Sequence, residues 1–172
     1  IEMEFLGIAR DIYLAYLERL KNTGDEDFNG LMQRAVEAVE QGITEFKRKN
    51  GDGDFKELKY ICIDEFQDFS ELFFRLVSGI RKANEKIELF CVGDDWQAIN
   101  GFAGSDLKFF QDFSQYFAPS KKLYISANYR SHHSIVNIGN EIMKDFGKPA
   151  VSKKSIKGGV ALVDLSEFTP TI

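Results

Sequence analysis

Leu58-Lys59-Tyr60-Ile61-Cys62-Ile63-Asp64-Glu65-Phe66-Gln67-Asp68 decides how the rest of the chain is read. The first six residues are a short run rich in apolar, β-branched and aromatic side chains, which predicts a strand. The run ends abruptly in acids, so the strand delivers carboxylates at its C-terminal end. The same arrangement recurs downstream. Ile87-Glu88-Leu89-Phe90-Cys91-Val92 predicts a second strand, ending in Gly93-Asp94-Asp95-Trp96-Gln97. Between the two lies a helical pattern with Leu72, Phe73, Leu76, Val77 and Ile80, and Ser70 stands at its N-cap position.

A third candidate strand, Lys122-Leu123-Tyr124-Ile125-Ser126, leads into Asn128-Tyr129-Arg130-Ser131 and a helix carrying Ile135, Ile138, Ile142 and Phe146. Strands alternating with helices predict an α/β fold with a parallel sheet. Ligands of such sheets gather at the C-terminal strand ends, and here all three ends carry chemically capable residues. Two helices are expected upstream. The first carries Phe5, Ile8, Ile12, Tyr13, Tyr16, Leu17 and Leu20. The second runs from Phe28 to Phe46, capped by Asp27 and closed by the turn cluster Gly51-Asp52-Gly53-Asp54. The last section, Lys153 to Thr171, reads as a linker with Gly158-Gly159 and one strand over Val160–Asp164.

The length, 172 residues, is that of one ordinary domain. With 44% apolar residues, 13% aromatics and three prolines, the chain is not disordered or collagen-like. A net charge of −5 disfavours a free-standing cationic nucleic-acid clamp, although it leaves room for a local basic strip. Cys62 and Cys91 lie in apolar runs with no CxxC spacing, so they read as small buried hydrophobes in a reducing, cytoplasmic setting. No apolar run approaches the ~20 residues of a membrane span.

Asp64 and Glu65 can divide labour, one holding magnesium through water and the other orienting or deprotonating an attacking water. Gln97 and Arg130 would supply a hydrogen-bonding sensor and a fixed positive charge for a developing phosphate charge. Tyr129 would offer a ring face to a base.

These segments carry a resemblance. Ile63-Asp64-Glu65-Phe66-Gln67-Asp68 resembles the Walker B motif of superfamily 1 DNA helicases of the UvrD/Rep type. Val92-Gly93-Asp94-Asp95-Trp96-Gln97-Ala98-Ile99, continued by Gly101-Phe102-Ala103-Gly104-Ser105-Asp106, resembles their third motif, and Asn128-Tyr129-Arg130-Ser131 their fourth. The tryptophan before the motif glutamine points to the helicase IV branch. The resemblance implies a partial RecA-like P-loop NTPase domain that uses ATP and Mg2+ and acts on single-stranded and duplex DNA. Within it Asp64 positions magnesium, Glu65 activates water, Gln97 and Arg130 contact the γ-phosphate, and Tyr129 stacks on adenine. Phe102 stacks on a DNA base, while Gln67 and Asp94 couple the nucleotide site to the DNA-binding motif.

Asn100 stands where the family usually has tyrosine, and Ala103 where many members have arginine. The P-loop pattern GxxxxGK[ST] is absent from the sequence; its one Gly-Lys pair, Gly147-Lys148, is followed by Pro149. The chain is therefore expected to be a middle slice of a longer motor, inactive alone. Residues 1–55 read as a helical lead-in, 56–150 as the RecA-like core, and 151–172 as a linker with the first strand of a second motor domain. Two other readings stay open. One is a metal-dependent nuclease or phosphoesterase using Asp64, Glu65, Asp68, Asp94 and Asp95, and the other is a non-catalytic interaction module.

Overall fold

The computed structural model describes residues 2–154 and 158–161. The chain divides into two compact units, residues 1–119 and 120–172. The first unit opens with helices α1 (Glu2–Thr23) and α2 (Phe28–Glu40). Asp27 caps α2 by accepting the Gly30 N–H at 2.7 Å and the Tyr16 hydroxyl at 2.9 Å, which ties the two helices together at their junction. Strand β1 (Glu45–Arg48) forms an antiparallel hairpin with β2 (Gly51–Asp54). Next come β3 (Tyr60–Ile63), α3 (Glu71–Ala83) and β4 (Glu88–Cys91), then two short helices, α4 (Lys108–Gln111) and α5 (Phe113–Tyr116). Strands β3 and β4 pair in parallel, with Ile63 opposite Cys91. No helix among the described residues is long and apolar enough to cross a membrane.

The hairpin corrects the expectation of a helix reaching Phe46. Gly42 has φ +86°, a left-handed conformation that glycine adopts freely. Its N–H donates to Val39 O at 2.9 Å, and the Ile43 N–H donates to Ala38 O at 3.0 Å. This is the two-bond Schellman ending, and α2 stops there. Ile43 and Phe46 keep helical spacing but lie beyond the stop. Gly51–Asp54, expected as a turn, is the second arm of the hairpin. Phe46 stacks on Phe55 with ring centres 4.7 Å apart. A Cβ on Gly53 would lie 2.6 Å from that ring, so only glycine fits.

The core anchors the turn after β3 through Phe66 and Phe69. Phe66, Phe69, Val77, Phe109 and Phe117 are buried together, with Ile61, Ile63, Leu89 and Cys91 of the sheet against them. A second cluster, Val39, Ile80 and Ile87, joins α2 and α3 to the sheet. The two helices approach so closely that a Cβ on Gly79 would meet Val39 Cγ1 at 2.7 Å. Asn84, after α3, donates to the carbonyls of Phe55, Lys56 and Leu58 and clamps the segment leading into β3. On the opposite face of β3–β4, Tyr60, Cys62 and Phe90 are exposed. The expectation of two buried cysteines is thus corrected: Cys91 is only partly buried against the core, and Cys62 lies on the exposed face. Burial, with Cys62 a lesser cause, pushes the Cys91 thiol up to about 12.

The second unit contains β5 (Ala127–Asn128) and β6 (Val151–Ser152), paired in parallel, and helix α6 (His133–Ile142) between them in sequence. The expected strand Lys122–Ser126 is therefore displaced towards Asn128. A strand exists only where a neighbour accepts its ladder, and the pairing bonds are Val151 N–H to Ser126 O and Lys153 N–H to Asn128 O. Lys122–Ile125 is not part of a strand. The strand expected over Val160–Asp164 lies, from Leu162 onward, outside the described residues, as does Lys157.

Candidate active site

Parallel pairing brings the C-terminal ends of β3 and β4 to one side of the sheet. The Val92 N–H donates to Ile63 O at 2.9 Å, and the Phe66 N–H returns to Val92 O at 2.9 Å. The two acidic turns are thereby stitched together. Asp64 is exposed, and its Oδ1 accepts the Glu65 N–H at 2.9 Å. Glu65 adopts φ 51° and ψ 44°, the one positive φ at a non-glycine among the described residues. Glutamate has no local reason to favour this region, which costs an ordinary L-residue roughly 1–2 kcal/mol.

The conformation has a visible consequence. It starts the 3-10 turn Phe66–Asp68, in which Phe66 plugs the core and Gln67, only 3% exposed, is held beneath the carboxylate. The Gln67 amide donates to Glu65 Oε2 at 2.7 Å, and its carbonyl accepts the Asp94 N–H at 3.0 Å. One buried side chain thus joins the turn after β3 to the turn after β4. Gly93 is what allows the approach: a Cβ there would lie 2.6 Å from Gln67 Oε1 and 2.8 Å from the Phe66 nitrogen.

Asp94 organises the second turn. Its Oδ1 accepts the Trp96 N–H at 3.1 Å, while Oδ2 accepts the Gln97 amide at 2.9 Å. The Gln97 side chain is therefore held on the same turn as Asp94. Beyond it, the 3-10 turn Gly101–Ala103 presents Phe102 with 91% of its surface exposed. Phe102 is therefore no part of the core. In the second unit, Asn128 Oδ1 accepts the Arg130 N–H at 3.0 Å and the Ser131 N–H at 2.8 Å. This side-chain turn holds Tyr129, 73% exposed, and Arg130 outward.

Asp64, Glu65, Gln67, Asp94 and Gln97 therefore occupy two joined turns, with Phe102 on the next, whereas Tyr129 and Arg130 belong to the other unit. Among the described residues no three His, Cys, Asp or Glu side chains converge to hold a metal. A single exposed carboxylate suits magnesium of the kind held mainly by phosphate oxygens and water, and Asp64 fits that donor set. Residues 3–118 match the UvrD/REP helicase N-terminal domain. The chain belongs to the UvrD/Rep helicase family. It is 31% identical to DNA helicase IV of Escherichia coli over 161 residues, 90% of this chain and 22% of that protein. It is 29% identical to the ATP-dependent DNA helicase PcrA of Staphylococcus epidermidis over 136 residues, 77% of this chain and 17% of that protein. The chain thus spans about a fifth of the length of these relatives.

Two residues of this UvrD/Rep chain were not assigned roles from the sequence. Gly93 and Asn128 carry legible signals, a glycine beside a strand end and an Asx residue before a turn. Asp68 accepts the Asn100 amide at 2.9 Å, and this link carries no local signal because its partners are far apart in the chain.

Proposed function

We propose that these residues form part of a longer ATP-dependent DNA helicase, in which ATP hydrolysis drives movement on single-stranded DNA and duplex unwinding. The observation that carries the reading is the Gln67 bridge, which joins a left-handed Glu65 to the Asp94–Gln97 turn at one end of a parallel strand pair. Family membership supports it. The fold that fits is a RecA-like domain whose sheet is wider than the β3–β4 pair. Residues 1–55 form its lead-in, 56–150 its core, and 151–172 the passage into a second motor domain. A cytoplasmic location suits DNA as the substrate.

In this reading Glu65 is the general base. Gln67 occupies Oε2, leaving Oε1 to take a proton from a water as the water oxygen bonds to the γ-phosphorus and the bond to ADP breaks. Magnesium, held by Asp64 together with phosphate oxygens, would offset the phosphate charge. Gln97 turns from Asp94 to the γ-phosphate, Arg130 stabilises charge on the same group, and Tyr129 stacks on adenine. Phe102 stacks on a DNA base, an interaction worth ~1–3 kcal/mol. Asp94 and Gln67 couple the two. The acidic phosphoesterase alternative draws no support from a carboxylate cluster, since no three such side chains converge among the described residues.

Steady-state ATP hydrolysis by the full-length protein, measured with and without single-stranded DNA, tests this reading. Hydrolysis stimulated by DNA is expected, with none from the 172-residue chain by itself. Metal-dependent DNA nicking that needs no ATP would overturn it.

A further inference from the structure

The Asp68 carboxylate is oddly placed for a merely structural group. Its Oδ1 is buried with no hydrogen-bond partner, while Oδ2 accepts the Asn100 amide at 2.9 Å. An orphaned buried oxygen is a cost that an apolar side chain at this position would avoid. What the carboxylate achieves is a grip on residue 100, immediately before the Phe102 turn. The far side of that turn is also secured: the Asp106 N–H donates to Phe69 O at 2.9 Å, and Ser105 bridges Ser70. Both ends of the Phe102 turn are thus pinned to the segment that follows Glu65. Asp68 shares its 3-10 turn with Gln67, which holds the Glu65 carboxylate at 2.7 Å.

We propose that the Asp68–Asn100 hydrogen bond is a positioning link that sets the Phe102 turn relative to the Glu65 turn, so that DNA contact and the hydrolytic carboxylate move together. This rests on the helicase reading above. Neither residue touches nucleotide or DNA in this scheme; both act through Gln67 and Phe102.

The bond can be reversed as well as broken. Asn100→Asp sets two carboxylates face to face. Adding Asp68→Asn restores a donor and an acceptor in the opposite sense and returns an oxygen to the buried Oδ1 position. The assay is ATP hydrolysis by the full-length protein, titrated with an oligodeoxythymidylate. In Asn100→Asp the half-saturating DNA concentration is expected to rise about tenfold, while the DNA-free rate, which a general loss of fold would lower, stays near wild type. The double variant is expected to recover to within about threefold of wild type. Asn100→Ala, which only removes the donor, should rise in the same direction and serves if Asn100→Asp does not fold. An unchanged DNA dependence in the single variants, or a double variant no better than Asn100→Asp, overturns the link. Wild-type hydrolysis indifferent to DNA would instead overturn the underlying helicase reading, so the two failures are distinct.

Discussion

Glu65 departs most from what its sequence neighbourhood prefers. Strain at a left-handed glutamate persists only where the surroundings over-determine it, and here Phe66 buried on one side and Gln67 on the other do so. Gly93 is the permissive residue in the same assembly. Gly93→Ala drives a methyl group into Gln67 Oε1 and the Phe66 nitrogen, both backed by packed core. The variant is expected to lose roughly 1–3 kcal/mol of stability in urea titrations, and wild-type stability would show that the Gln67 bridge is looser than its contacts imply. The acids and Gln97 were legible because strand ends in α/β sheets collect chemistry. The left-handed Glu65 and the Asp68–Asn100 link were not, since both depend on contacts made only after the turns meet.

At the scale of elements, caps and stops decided what could be read. Ser70 and Asp27 were recognisable N-caps, and α3 and α2 begin where they predict, with the Phe73 N–H reaching Ser70 Oγ and the Gly30 N–H reaching Asp27. The stop at Gly42 was equally available, but apolar spacing at Ile43 and Phe46 masked it, because a short hairpin can share helical spacing by chance. The displaced third strand has a different cause, since ladder partners come from distant sequence. The Asp27 cap also makes a pH-dependent prediction. The Gly30 N–H first, then the Tyr16 hydroxyl, hold its carboxyl below the usual carboxylate range. A lowered pKa means the cap contributes fully above the unfolded value, and the contribution fades as pH falls through the folded one. Asp27→Ala should therefore lower the urea midpoint at pH ~7, and its deficit should shrink below pH ~4. A deficit that stays constant with pH would show that the charge plays no part.

For the molecule as a whole, the parallel β3–β4 pair is covered by core on one face and presents Tyr60, Cys62 and Phe90 on the other. Parallel sheets are ordinarily covered on both faces, whereas among the described residues this face of the pair stays open. The α/β class and the order of motifs were legible from the sequence, since both follow from local patterns. Which strands pair was not, because ladder partners lie far apart in the chain. In the proposed function the Glu65 carboxylate is the base of an ATP-driven motor. Its most direct test compares Glu65→Gln with wild type in the full-length protein, measuring nucleotide binding and DNA-stimulated ATP turnover on the same preparation. Turnover is expected to fall by at least about a hundredfold while ATP still binds. Turnover retained near the wild-type rate would contradict it.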